Sequence, residues 1–136
     1  MAKYFQPYEY TCKCGCGFDD LHPLLLEKLD SLREYLGCPV EITSGCRCRN
    51  HDINVGGSGR GFHTKGMACD IYVTGMTMDA LANICTDMGF DGVERNDNYN
   101  TYVHVDIRCE QGYSKYYWRY DYYHGERQCD ERGNVL

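Results

Sequence analysis

Between residues 67 and 108 the chain reads MACDIYV (67–73), TMDALANICTDMG (77–89), GFDGVE (89–94) and TYVHVDIR (101–108). The first, third and fourth are short apolar runs of strand length. The second is a helix, capped by Thr77 and closed by Gly89. Upstream, LHPLLLEKLDSLREYLG (21–37) repeats leucine at 21, 25, 29, 32 and 36, spacings of three and four that lay one apolar stripe along a helix. Asp20 is the expected N-cap, Pro23 fits the first turn, and Gly37 ends the helix. PVEIT (39–43) reads as a short strand. Residues 44–62, SGCRCRNHDINVGGSGRGF, read as one long loop, of a length that is more often functional than idle. YYWRYDYY (116–123) is expected as an edge strand. Helices and short strands alternate irregularly, which predicts an α+β fold: a mostly antiparallel sheet with two main helices packed on it.

The chain has 136 residues, within the roughly 100–200 of one domain, so 1–136 is read as a single domain. Its 14 Lys+Arg against 20 Asp+Glu give a net charge of −6, with no basic cluster. That disfavours nucleic acid and anionic membrane surfaces as partners. No apolar run reaches the about 18 residues of a transmembrane helix, and MAKYFQPYEYTC lacks the apolar core of a secretory signal. Ten cysteines point the other way, towards an oxidising compartment or bound metal.

Three residues carry the chemistry: His63 and Asp70 in HTKGMACD, and His104 in YVHVD. Asp70 and His104 fall inside predicted strands, where neighbours can meet. Two imidazoles and a carboxylate give zinc three protein ligands and leave a position for water, the arrangement of hydrolytic zinc. The plainer alternative is a surface histidine and an aspartate bonded locally; spacing alone leaves both open.

The ordered motifs SGCRC (44–48), NHD-x-x-VGG (50–57), HTKGMACDI (63–71) and VHVDIR (103–108) together resemble the zinc D-Ala-D-Ala carboxypeptidase family, which shares its fold with the hedgehog signalling domain. CKCGCG and the leucine-rich helix resemble its short single-domain branch. The resemblance runs from about Tyr4 to Arg108. It implies Zn2+ bound by His63, Asp70 and His104. Arg47 matches the arginine that grips substrate in that family, and a guanidinium fork suits a carboxylate or a developing oxyanion. The implied substrates are peptidoglycan stem peptides, cut as a carboxypeptidase or as an endopeptidase. A monomer is expected, as is a cell-wall setting such as phage lysis or bacterial remodelling.

The sequence departs from that family at the general base. The usual carboxylate three residues before the last histidine is Thr101 here, and a common second histidine is Tyr102. Asp106 is the nearest substitute: residues two apart in a strand share a face, so it projects with His104. It serves either as the base or as the acceptor that fixes an imidazole tautomer. Glu94 and Asp97 are rivals. A zinc-containing wall-binding module without hydrolysis is the alternative function, and a metal-free disulfide-stapled protein is a third.

Cys12, Cys14 and Cys16 alternate, as do Cys46 and Cys48. Disulfides are preferred over a second zinc because the common C-x-x-C spacing is absent. A bridge from the second pair to the first segment would pin the Arg47 loop. Cys69 is expected as a buried thiol. His22, His51 and His124 are not expected as ligands. The tyrosine-rich tail either packs as an edge or stacks on substrate.

Overall fold

A computed structural model describes residues 3–98, 100 and 102–136. Thr101, named above, lies outside them. The elements are α1 (Pro7–Tyr10), α2 (Pro23–Leu36), β1 (Glu41–Ser44), α3 (Arg49–Asn54), β2 (Ala68–Tyr72), α4 (Met78–Asp87), β3 (Gly92–Asn96), β4 (Val103–Asp106), β5 (Tyr116–Asp121) and β6 (Gly125–Gln128). The six strands form one sheet in the order β1-β2-β4-β3-β5-β6. Every pairing is antiparallel except β3 with β5. The fold is α+β, as the sequence predicts. No helix among the described residues is long and apolar enough to cross a membrane.

α2 forms because its stripe has a core to meet. Leu25, Leu29 and Leu32 are fully buried, each contributing about 1.5–3 kcal/mol by leaving water. Gly37 closes the helix in the left-handed region, at φ 68°, where a Cβ is costly. The N-cap is His22 rather than Asp20: the imidazole Nδ1 accepts from the Leu24 amide at 3.1 Å. The His22 amide in turn donates to the Gly66 carbonyl at 2.8 Å, so a tertiary contact sets where the helix begins. α4 starts at the expected cap, with Thr77 Oγ1 accepting from the Ala80 amide at 3.1 Å.

Two expectations need correction. The stretch 44–62 is not all loop, because it contains α3. A sulfur cap starts that helix, the Cys48 thiol accepting from the His51 amide at 3.4 Å, so no apolar period announces it. β5 is not an edge strand either. The turn at Arg108–Gln111 carries the chain over β3, and β5 pairs parallel to β3 on one side and with β6 on the other.

Strand alternation then separates two chemistries. Cys69, Ile71, Val93, Val103 and Val105 join the leucines of α2 and Leu81 and Ala82 of α4 in one apolar cluster. The intervening residues Asp70, Glu94, His104 and Asp106 therefore face the other side of the sheet.

Candidate metal centre

On that other face the strand registers line up one row. Ser44 pairs with Asp70, Asp70 with His104, His104 with Glu94, and Glu94 with Trp118. Opposed residues in a sheet hold their Cβ atoms about 4.5–5.5 Å apart, so residues distant in sequence become side-by-side neighbours. From Asp70 to Trp118 the row floors a cleft of about 660 Å³ whose lining also includes Arg47 and His63.

His63 comes from the 3-10 turn Phe62–Lys65. Its Nδ1 lies 2.8 Å from the Gly45 carbonyl. A carbonyl only accepts, so Nδ1 donates to it, and Nε2 is the ring nitrogen turned to Asp70 Oδ1, at 3.3 Å. His104 is held the same way in mirror fashion. Its Nε2 faces Asp106 Oδ2 at 2.9 Å, and its Nδ1 faces Asp70 Oδ1 at 3.2 Å. One ligating atom from each of His63, Asp70 and His104 lies within 4.8 Å of the other two. Each imidazole thus bonds protein through its outer nitrogen and turns its inner one to the same carboxylate oxygen, the support that metal-binding histidines use. The donor set fits zinc: two nitrogens and one oxygen, with a cleft beyond for a further ligand.

Arg47 is fixed on three sides. Its Nε donates to Ser44 Oγ at 2.8 Å, Nη1 to Asp52 Oδ1 at 3.0 Å, and Nη2 to Asp70 Oδ2 at 3.1 Å. Asp52 also accepts from the Gly59 amide at 2.8 Å. A Cβ on Gly57 would stand 2.3 Å from that carboxylate, so glycine there leaves the room Asp52 occupies. The VGG turn and the aspartate of NHD therefore act as one clamp on Arg47, a role that spacing did not assign.

Asp106 is fully buried behind His104 and does not line the cleft. Arg108 engages it through Nε, at 3.0 and 3.2 Å from Oδ1 and Oδ2, and through Nη2 at 2.7 Å from Oδ2. The Arg108 guanidinium also lies 4.9 Å from the ring centres of Phe62 and Trp118. Burial alone would push the Asp106 carboxyl up, but the His104 and Arg108 hydrogen bonds outweigh it and hold the pKa well below the usual carboxylate range. A carboxylate so committed is a poor proton acceptor, and its contacts suit the other expected role, that of the acceptor that orients the His104 ring. A Cβ on Gly92 would stand 2.2 Å from its Oδ2, so Gly92 makes space for it.

Of the two rivals, Glu94 lines the cleft. Burial raises its pKa above the ordinary glutamate value, His104 partly opposing, and Oε2 accepts from Trp118 Nε1 at 3.0 Å. Asp97 instead binds Arg119, with Oδ2 at 2.9 Å from Nε and Oδ1 at 2.7 Å from Nη2. Tyr102 lines the cleft, and its hydroxyl accepts from Asn96 Nδ2 at 3.0 Å.

For Asp70, burial would raise the pKa, yet the two imidazoles hold it well below the carboxylate range. For His104, burial would lower it, but hydrogen bonds to Asp106 and Asp70 carry it to about 10. A histidine ordinarily titrates near 6.5. Its contribution to the metal-free fold is therefore complete below about pH 6.5 and is lost as pH rises towards about 10. Denaturant unfolding of chelator-treated protein should show stability falling over that window, with a shallower fall in His104→Gln. Equal slopes in the two proteins would contradict this assignment.

The disulfide expectation is also corrected. All ten cysteines are free thiols, and Cys69 is buried as expected. Cys12, Cys14, Cys16 and Cys48 instead converge as a second group whose sulfurs lie within 4.8 Å of one another.

No individual curated protein matches this chain. The family model described as Peptidase M15 matches residues 3–106, a span that takes in both cysteine segments, Arg47, His63, Asp70, Glu94 and His104. This chain belongs to the Peptidase M15 family and is a peptidase.

Proposed function

We propose that the cleft binds one zinc ion through His63 Nε2, Asp70 and His104 Nδ1 and hydrolyses a peptide bond between D-amino acids of peptidoglycan stem peptides, as a carboxypeptidase or an endopeptidase. One observation carries the reading: both imidazoles spend their outer nitrogens on protein acceptors and aim their inner ones at one oxygen of Asp70. When bound, the metal supplies a water of lowered pKa and polarises the scissile carbonyl.

The chain's own residues do the rest. Glu94 sits beside His104 in the row, and its raised pKa suits a group that takes a proton from water and returns it to the leaving amine. With Oε2 held by Trp118, we assign that transfer to Oε1. Arg47, fixed by Ser44, Asp52 and Asp70, presents positive charge to the cleft and stabilises negative charge on substrate oxygen without rearranging. Asp106 and Gly45 set the two ring orientations and perform no proton transfer.

Incubating muropeptides with the protein should release D-Ala or shortened peptides. Activity should vanish on chelation and return with zinc. Activity that survives His63→Ala would end the proposal. The second reading, a wall-binding module that retains zinc without hydrolysis, is favoured by one feature: Thr101 stands where the family's carboxylate base is usual. It predicts zinc binding and muropeptide retention with no cleavage.

A further inference from the structure

The four converging cysteines lie outside the cleft. CKCGCG (12–17) does not run as a strand. The Cys12 amide donates to the Phe18 carbonyl at 2.8 Å, closing a tight loop, and Gly15 and Gly17 take φ of 87° and 86°. That curl replaces an alternation of about 7 Å between like-facing residues with three sulfurs turned to one point. Cys48 arrives from the Arg47 loop. Its Sγ lies 3.5 Å from Cys14 Sγ, and Cys14 Sγ lies 3.5 Å from Cys12 Sγ. A tetrahedral zinc with Zn–S of about 2.3 Å sets its sulfurs about 3.8 Å apart. The observed separations match that edge.

Two amides point at the sulfurs. The Cys48 amide donates to Cys12 Sγ at 3.3 Å, and the His51 amide to Cys48 Sγ at 3.4 Å. N–H donors of this kind favour a thiolate over a thiol. Around the group, the Cys46 amide donates to the Tyr10 carbonyl at 2.8 Å, and a Cβ on Gly45 would stand 2.7 Å from that same oxygen. The two segments are therefore already packed backbone to backbone.

We propose that Cys12, Cys14, Cys16 and Cys48 form a second, structural zinc site that ties the N-terminal loop to the segment carrying Arg47. Binding releases a proton from each thiol to solvent and places four thiolates on one Zn2+, a closed shell with no position for water. Cys48 caps α3 and follows Arg47 directly, so the site positions Arg47 and the Asp52 clamp and takes no part in proton transfer.

The test uses the full chain, purified without chelator, with zinc measured per chain and with cobalt substituted for zinc. The wild type should hold about two zinc ions, and Cys14→Ser/Cys16→Ser about one. Both substituted side chains are exposed, so the core is untouched. His63→Ala/His104→Ala should also hold about one, and only there should X-ray absorption report an all-sulfur shell near 2.3 Å. The cobalt form of that histidine variant should keep the thiolate-to-metal charge-transfer band, which the Cys14/Cys16 variant lacks. Zinc content that does not change on losing Cys14 and Cys16 would overturn the site. So would a disulfide among these four cysteines in protein alkylated before reduction, or iron in place of zinc. A wild type with one zinc that is lost in the cysteine variant supports this site while refuting the one in the cleft.

Discussion

Glu94→Gln is expected to lower kcat/KM on a muropeptide by about 10²–10⁴, the usual contribution of a positioned base, with zinc content and melting temperature unchanged. Glutamine keeps the shape of the side chain and an oxygen for the Trp118 N–H, so only proton transfer is removed. The pH profile gives an independent readout. Burial raises the Glu94 pKa, so the acid limb of kcat/KM should lie above the ordinary glutamate value of about 4.3. Activity within a few-fold of wild type in Glu94→Gln would return the base to another residue.

Asp106→Ala should act differently. Asp106 is fully buried between His104 and Arg108, and removing one partner of a buried ion pair costs about 3–5 kcal/mol. Loss of the carboxylate also frees the outer nitrogen of His104, for which about 10–100-fold in metal affinity is typical. The variant should thus unfold at markedly lower denaturant and bind zinc weakly, yet regain most of its kcat at saturating zinc. Glu94→Gln should show no such rescue. A variant of Asp106 that is stable, holds zinc normally and is inactive would reverse the two roles.

The difference between these carboxylates explains what could be read early. His63, Asp70 and His104 were legible because their residue types and flanking motifs are local strings. Asp106 and His104 were correctly placed on one face, since strand alternation is a local rule. Whether Asp106 turned to the cleft or to Arg108 was not local. Arg108 reaches it from the turn just after β4, and Gly92, on a strand paired with β4, leaves room for it. Glu94 gained its place only through cross-strand register. The cysteines were legible as a pairing of the first segment with the Arg47 loop, but free thiols in a cluster took the place of the expected covalent bridge.

The amino-acid order by itself determined the leucine period of α2, the Thr77 cap of α4, the strands with alternating faces, the α+β class and the residue types able to bind metal. These depend on interactions within a few residues along the chain. The tertiary structure alone decided the parallel β5, the row from Ser44 to Trp118, which ring nitrogen each histidine turns to Asp70, and the burial of Asp106 against Arg108 while Glu94 lines the cleft. Each of those depends on which strands lie side by side and in what register, and register is fixed by packing across the whole sheet rather than by any one segment.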